Sequence, residues 1–154
     1  MTPYLYALLI GLVAGLRTMT APAIVSWAAH FGWIHLGGTW LAFLDSFWAR
    51  WILTLFALVE FVGDQLPSTP SRTVPVQFGA RIITGALSGG AIGAGSGVMF
   101  GGILAGGAGA VIGTLGGHAF RARLAATFGK DRPAAFIEDA VAIGAALLIT
   151  ASLR

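Results

Sequence analysis

The sequence predicts an all-α integral membrane protein with about five transmembrane segments. The 154 residues are 56% hydrophobic and only 10% charged, whereas about a quarter of a typical soluble domain is charged. A stretch of 36 residues, Ile82–Gly117, contains no charge. The basic residues gather between the apolar segments, as in membrane proteins that orient by charge. At this length we expect one transmembrane domain, residues 1–154.

The first apolar segment, Pro3 to about His30, is too long for one simple span of about 20 residues. Arg17, Thr18, Thr20 and Pro22 interrupt it, which predicts a kinked helix or two half-helices. Because no basic residue precedes Arg17, the pattern of a signal peptide is missing. We therefore expect this segment to belong to the mature protein.

The second segment runs from about Leu41 to Gln65, and its tryptophans are typical of a membrane interface. This aromatic cluster comprises Trp33, Trp40, Trp48 and Trp51. Three prolines then predict an extended connection over Pro67–Pro75.

The uncharged stretch Ile82–Gly117 would measure about 54 Å as one helix, and a bilayer core is about 30 Å thick. We therefore predict two spans with a turn at Gly93–Gly97. The last span follows the connection RARLAATFGKDRP and ends near Leu153. Asp131 is its predicted helix cap, with Pro133 in the first turn.

Glycine recurs at every fourth position of the uncharged stretch, with Ala105 in the one gap. The line comprises Gly85, Gly89, Gly93, Gly97, Gly101, Gly109, Gly113 and Gly117. Small residues at this spacing let helix backbones approach closely in lipid. We expect glycine-zipper packing of spans three and four on each other. An oligomer interface, a glycine-lined pore and a sliding surface remain open alternatives.

The basic residues of the second and fourth connections predict the orientation. They are Arg72, Arg81, Arg121, Arg123, Lys130 and Arg132. With five spans, these connections and the N-terminus face the cytoplasm. If the first segment is a re-entrant hairpin, the N-terminus changes side and the basic side does not.

Seven charged residues in or near the spans are candidate binding residues for a solute or an ion: Arg17, Glu60, Asp64, Arg81, Arg121, Glu138 and Asp139. Charges in spans are rare and usually face a protein interior or a water-filled cavity. Alternatively, the arginines snorkel and the acids meet solvent at the span ends, or ion pairs fix the packing. We expect Glu60, Arg81, Arg121 and Glu138 to converge on one cluster open to the cytoplasm. Glu60 is the best candidate for a proton-binding group because Asp64 lies one turn away.

A short echo links GLRTMTAPA (Gly15–Ala23) to GARIITGAL (Gly79–Leu87), which share G-x-R-x-x-T. An acidic pair follows each copy. Since many transporters contain inverted repeats, the echo suggests a weak repeat of that kind.

Other chemistry finds no support in the sequence. His30, His35 and His118 do not have metal-ligand spacing, and no hydrolase motif or nucleotide loop occurs. We expect no cofactor, no metal and no enzymatic activity. The formal charge of +3 is explained by membrane orientation, so we expect no nucleic-acid partner.

The order of motifs along the chain resembles a known family. G-L-R-T-M-T-A-P-A, L-V-E-x-x-x-D-x-x-P, P-x-R-T-x-P, G-A-R-I-x-x-G-A and E-D-A-V-A-I-G are similar to the bacterial membrane proteins of domain of unknown function 4126. The resemblance implies a multi-span protein of a bacterial inner membrane and no assigned activity.

Two functions remain as hypotheses. The first is an oligomeric transporter or channel for a small solute, with an anion or a proton as the candidates. The second is a membrane scaffold or a module that binds lipid headgroups through the basic loops. A membrane enzyme ranks third. A water-accessible cavity lined by Arg17, Glu60, Arg81 and Glu138 would favour transport, and a dry ion-paired bundle would favour the scaffold.

Overall fold

A computed structural model describes residues 2–66, 71 and 73–154, and their regular structure is entirely helical. The elements are α1 (Pro3–Leu16), α2 (Thr20–His30), a 3₁₀ helix (Trp40–Asp45), α3 (Phe47–Gly63), α4 (Pro75–Ala94), α5 (Met99–Phe128) and α6 (Asp131–Ala151). The all-helical prediction is confirmed. Most of the predicted Pro67–Pro75 connection, together with Arg72, lies outside the described residues.

The helix ends follow local chemistry. Pro75 opens α4 at a position where a missing N–H costs nothing, and the Ser46 hydroxyl caps α3 by accepting the Ala49 N–H. Gly129, at φ 67°, ends α5 in the left-handed conformation that glycine adopts without strain. Asp131 is the first residue of α6 and its side chain is not a cap, so that prediction was wrong; Pro133 lies in the first turn as expected.

The uncharged stretch divides into two helices where the sequence predicted a turn, because α4 ends at Ala94 and α5 begins at Met99. The two helices pack backbone against backbone. A Cβ atom added to Gly89, Gly102 or Gly106 would lie closer than 3.0 Å to the backbone of the facing helix. Only glycine allows helices to approach so closely.

The glycine line on α5 faces a different neighbour from the one predicted. Gly109 and Gly113 lie against the α1 backbone at Leu8 and Leu12, and Gly101 lies under the Tyr4 ring. The glycines of α5 that meet α4 are instead Gly102 and Gly106. Because α5 packs between two helices, adjacent rows of its surface contact different partners. Gly102 and Gly106, which form this second row, are not part of the predicted glycine line.

The first segment is a helical hairpin rather than one kinked crossing. Tyr4, in the first turn of α1, packs on Gly101 near the start of α5, while Ile34, just after α2, packs near Gly95 at the end of α4. Since a tight turn joins α4 to α5, both ends of the segment lie at one end of the bundle. The chain reverses between Leu16 and Thr20.

Aromatic side chains gather at the end of the bundle that holds the N-terminus, which we call the aromatic end. Trp27 and Trp51 pack edge to face at 5.5 Å, and Phe47 packs on Trp48 at 5.6 Å. The C-terminus is there as well, because the Arg154 guanidinium lies 4.4 Å from the Trp33 ring. The opposite end, where α1 gives way to α2, we call the charged end.

Helix α3 lies at the edge of the bundle. Only Arg50 and Ala57 are buried along it, whereas α1, α2 and α4 each bury several residues. Its outer face exposes a continuous apolar surface, including Ile52, Leu55, Phe56, Leu58, Val59 and Val62.

Two helices, α5 and α6, are long and apolar enough to cross a membrane, and α1 is apolar but shorter. Many large hydrophobic side chains point outward from the bundle. Leu104, for example, is 76% exposed and Leu148 is 71% exposed. Extended exposed apolar surfaces of this kind mark contact with a membrane or with another protein.

A charged network at the break between α1 and α2

The centre of the network is Arg17, the residue at which α1 ends. Its backbone is extended, at φ −139° and ψ 115°, so the chain leaves the helix there. Its side chain is completely buried and forms ion pairs with the carboxylates of Asp64 and Asp139. Glu138 lies 3.9 Å away on the same side, and the Phe61 ring covers the guanidinium at 5.8 Å.

Arg121, on α5, forms a second centre close to the first. Its guanidinium lies 3.1 Å from the Asp64 carboxylate and 3.6 Å from that of Glu138. It also donates two hydrogen bonds to Asp131, at 2.9 Å and 2.5 Å. Arg17 and Arg121 therefore share two carboxylates, and the network ties α3, α5 and α6 to the chain break.

Glu60 and Arg81 bind the two helix ends that the break creates. The Glu60 carboxylate accepts the N–H groups of Thr18 and Met19, at 2.7 Å and 2.8 Å, where α2 begins. Arg81 donates to the carbonyls of Gly15 and Leu16, at 2.7 Å and 2.9 Å, where α1 ends. An anion thus sits at a helix N-terminus and a cation at a C-terminus, as the helix dipoles favour.

Glu60 and Arg81 also meet each other, with 3.9 Å between a carboxylate oxygen and a guanidinium nitrogen. The break in the first segment is therefore closed by a charged pair supplied by α3 and α4. The two N–H groups and the two carbonyls at the break therefore all form charge-assisted hydrogen bonds. Such bonds are about twice as strong as neutral ones.

The structure brings together all seven candidate residues predicted from the sequence. Arg121 and Glu138 lie in one cluster with Arg17, Asp64 and Asp139. Glu60 and Arg81 form a separate pair on the backbone on either side of Arg17. Arg17, one of the seven candidates, is the centre of the network. Two further members were not among the candidates: Asp131, which was predicted to be a cap, and Gln65, whose amide lies 3.5 Å from Asp139.

Access to the network differs among its members. The side chains of Arg17 and Glu138 are fully buried, whereas those of Asp64 and Asp139 are 13% exposed. Asp131, at 61%, lies at the surface. The network therefore extends from the interior of the bundle to its surface at the charged end.

The G-x-R-x-x-T echo does not mark equivalent positions. Arg17 follows the end of α1, whereas Arg81 lies inside α4. Both side chains reach the same end of the bundle, while an inverted repeat would carry equivalent residues to opposite ends. The three shared letters therefore give no support for the suggested repeat.

Metal chemistry is not indicated in residues 2–66, 71 and 73–154, where no group of three or more histidine or acidic side chains could hold an ion. The carboxylates of the network face arginines instead.

The fold and the network define a class: an all-helical protein with helices able to cross a membrane and a buried charged network at a break in the chain. The chain belongs to the family described as domain of unknown function (DUF4126), whose model matches residues 5–152. Comparison with curated proteins and with solved structures finds no match.

Proposed function

We propose that this protein is a small transporter or channel of the bacterial inner membrane, in which the charged end handles a small solute. The observation that carries the proposal is the break between α1 and α2, which lies inside the bundle at the buried charged network. Transporters commonly place their binding sites where helices are discontinuous and helix ends meet ions. Ionisable groups held inside an apolar bundle are most often functional.

The direction of the helices supports a multi-pass arrangement. Each helix runs between the aromatic end and the charged end; α3 to α6 would cross the layer, while α1 and α2, with 14 and 11 residues, are each too short for a core of about 30 Å and would enter it as a hairpin. Both termini then lie on the side of the aromatic end. The exposed rings of Trp40 and Trp48 occupy the position of an interfacial belt there. Lipid is the expected partner of the apolar outer surface.

The charged end faces the cytoplasm in this proposal. Arg123, Lys130 and Arg132 are exposed there, and positive residues favour the cytoplasmic side. This keeps the predicted basic side and moves the N-terminus across the membrane. The edge helix α3, with its apolar outer face, is the surface on which we expect a second copy to pack.

One observation favours the alternative, a scaffold that does not transport. Each of Arg17, Arg81 and Arg121 is paired with carboxylates or backbone carbonyls, as in a network that only fixes packing. Its exposed basic residues would then bind anionic lipid headgroups. The pairing therefore supports the scaffold, whereas the interrupted helix supports transport.

The deciding experiment is a flux measurement in liposomes that contain a pH-sensitive dye. For a transporter, we expect the wild-type protein to carry protons together with one of a panel of small anions. Glu60→Gln should abolish that flux while the protein remains folded. Asp45→Asn makes the same chemical change at the aromatic end, where the Asp45 side chain is 55% exposed, and should retain full flux.

For a scaffold, the wild-type protein should give no flux above empty liposomes, and Glu60→Gln should lower the melting temperature because Arg81 loses a partner. A Glu60→Gln variant that is both stable and fully active would contradict the transport role and the structural role together.

A further inference from the structure

We infer that the start of α2 is a binding site for a small carboxylate, which Glu60 occupies in the described conformation. The inference rests on the proposed transport function in one respect: the molecule bound here would be the transported solute, and its chemical class would be a carboxylate. The binding site itself can be tested without any transport measurement.

The geometry at Glu60 is that of a bound carboxylate. One oxygen accepts the Thr18 N–H and the other accepts the Met19 N–H. The Arg81 guanidinium lies 3.9 Å from the first of these oxygens. Two successive amides and a cation match both oxygens of a planar carboxylate, whereas a spherical ion can satisfy fewer of these donors at once.

A second observation comes from Thr20, the first residue of α2. Its side chain is 2% exposed, and its hydroxyl has no hydrogen-bond partner among the described residues. A buried hydroxyl without a partner is costly. Thr20 directly follows Thr18 and Met19 in the chain, and its hydroxyl would be the third donor for a ligand larger than the Glu60 carboxylate.

Helix α3 provides a way to vacate the site. It carries Glu60 and Asp64, yet Ala57 is the one buried apolar residue along it. Its charged end contacts the bundle through these two acids and through the Phe61 ring, which lies on the Arg17 guanidinium. If α3 swings outward, Glu60 leaves with it, and the amides, Arg81 and Thr20 remain on the bundle for a solute to bind.

The test is rescue of Glu60→Ala by added carboxylate. The purified variant in detergent should show a melting temperature that rises saturably with formate or acetate at constant ionic strength, as expected for a ligand that binds the folded state. Chloride and sulfate should give no saturable rise. The wild-type protein, with Glu60 in place, and Asp45→Ala, at the aromatic end, should not respond to formate.

A further variant tests the hydroxyl. Thr20→Val in the Glu60→Ala background keeps the shape of the side chain and should raise the formate concentration needed for half of the shift several-fold. An unchanged midpoint would remove Thr20 from the site.

Two results would overturn the inference: a folded Glu60→Ala protein that formate and acetate do not stabilise, or an equal response to chloride. If Glu60→Ala does not fold without an anion, purification in formate should recover it, and failure to recover it counts equally against the site. Rescue without flux would retain the site and reject transport, whereas flux without rescue would retain transport and reject this site.

Discussion

The charged end and the aromatic end of the bundle place polar and apolar groups in opposite ways. At the charged end, Arg17 and Glu138 are buried, and Glu138 lies 3.9 Å from Arg17 and 3.6 Å from Arg121. At the aromatic end, Trp48 is 72% exposed and Trp40 is 60% exposed. This is the arrangement expected when the surroundings are apolar, because charges must be satisfied internally and large rings tolerate the interface.

A comparison of two buried arginines, Arg17 and Arg50, sharpens the contrast. Arg17 pairs with Asp64 and Asp139, and its side chain is fully buried. Arg50, at the aromatic end, donates to the backbone carbonyl of Asp45 at 2.8 Å, and its nearest carboxylate oxygen is 3.8 Å away. Arg17 is held by two carboxylates in its ion pairs, whereas Arg50 is held by a backbone carbonyl and by the Trp27 ring of α2, 5.6 Å away.

The largest expected effect, complete labelling from one side and none from the other, concerns which side of the membrane each end of the bundle faces. The chain contains no cysteine, so single cysteines can be placed cleanly. A cysteine at Lys130, at the charged end, should react with an impermeant thiol reagent only from the cytoplasm. A cysteine at Thr2, at the aromatic end, should react only from outside. If both react from the same side, the charged end and the aromatic end do not face opposite sides of the membrane as proposed.

The next largest effect is expected for Arg17→Gln. It leaves several carboxylates without their cation, and removal of one partner of a buried pair costs about 3–5 kcal/mol of unfolding free energy. Arg50→Gln should cost less, about 1.5–3 kcal/mol, because it loses a hydrogen bond from a charged donor and a contact with the Trp27 ring but no close ion pair. Denaturant unfolding in detergent measures both values, and equal losses would show that the two ends are held in the same way.

A smaller effect tests the glycine packing that links the two ends. Gly113→Leu forces a side chain into the α1 backbone at Leu12, and we expect a loss at the upper end of the usual overpacking cost of about 1–3 kcal/mol. Gly116 is the control, since no atom lies within 4 Å of a Cβ added there.

Gly116→Leu should be neutral or slightly stabilising, because leucine is the better helix former by somewhat under about 1 kcal/mol. If both leucine variants melt alike, the close packing of α5 on α1 is wrong. If Gly116→Leu alone changes the particle size on gel filtration, α5 instead contacts a second copy.

The smallest effect is expected at the aromatic end. Trp48→Ala removes an exposed ring that packs only on Phe47 among the described aromatic residues, so unfolding in detergent should change by no more than about 0.5 kcal/mol. The same variant should change how the protein sits in a bilayer, measured by quenching of the remaining tryptophans with brominated lipid. Unchanged quenching would argue against an interfacial role for this ring.

Much of the fold could be predicted because it depends on local chemistry. The turn after Ala94 follows from the length of an uncharged stretch relative to a bilayer, and the start of α4 at Pro75 follows from the backbone of proline. The membership of the charged network was also accessible, since charges are rare in this chain and each needs a partner. Asp131 was misassigned because a helix-capping residue and an arginine partner look the same in sequence.

The sequence by itself determined the class of the protein, its helices and the small set of groups able to carry chemistry. These features depend on composition and on the spacing of residues that are close in sequence, so they can be read without knowing which helices pack together. The tertiary structure decided that the first segment turns back on itself, that α5 meets α1 through one row of glycines and α4 through another, and that Arg17 lies at the centre of the network. Those features depend on which helices become neighbours, because the same small residues and the same charges would satisfy several arrangements until packing brings particular backbones and side chains together.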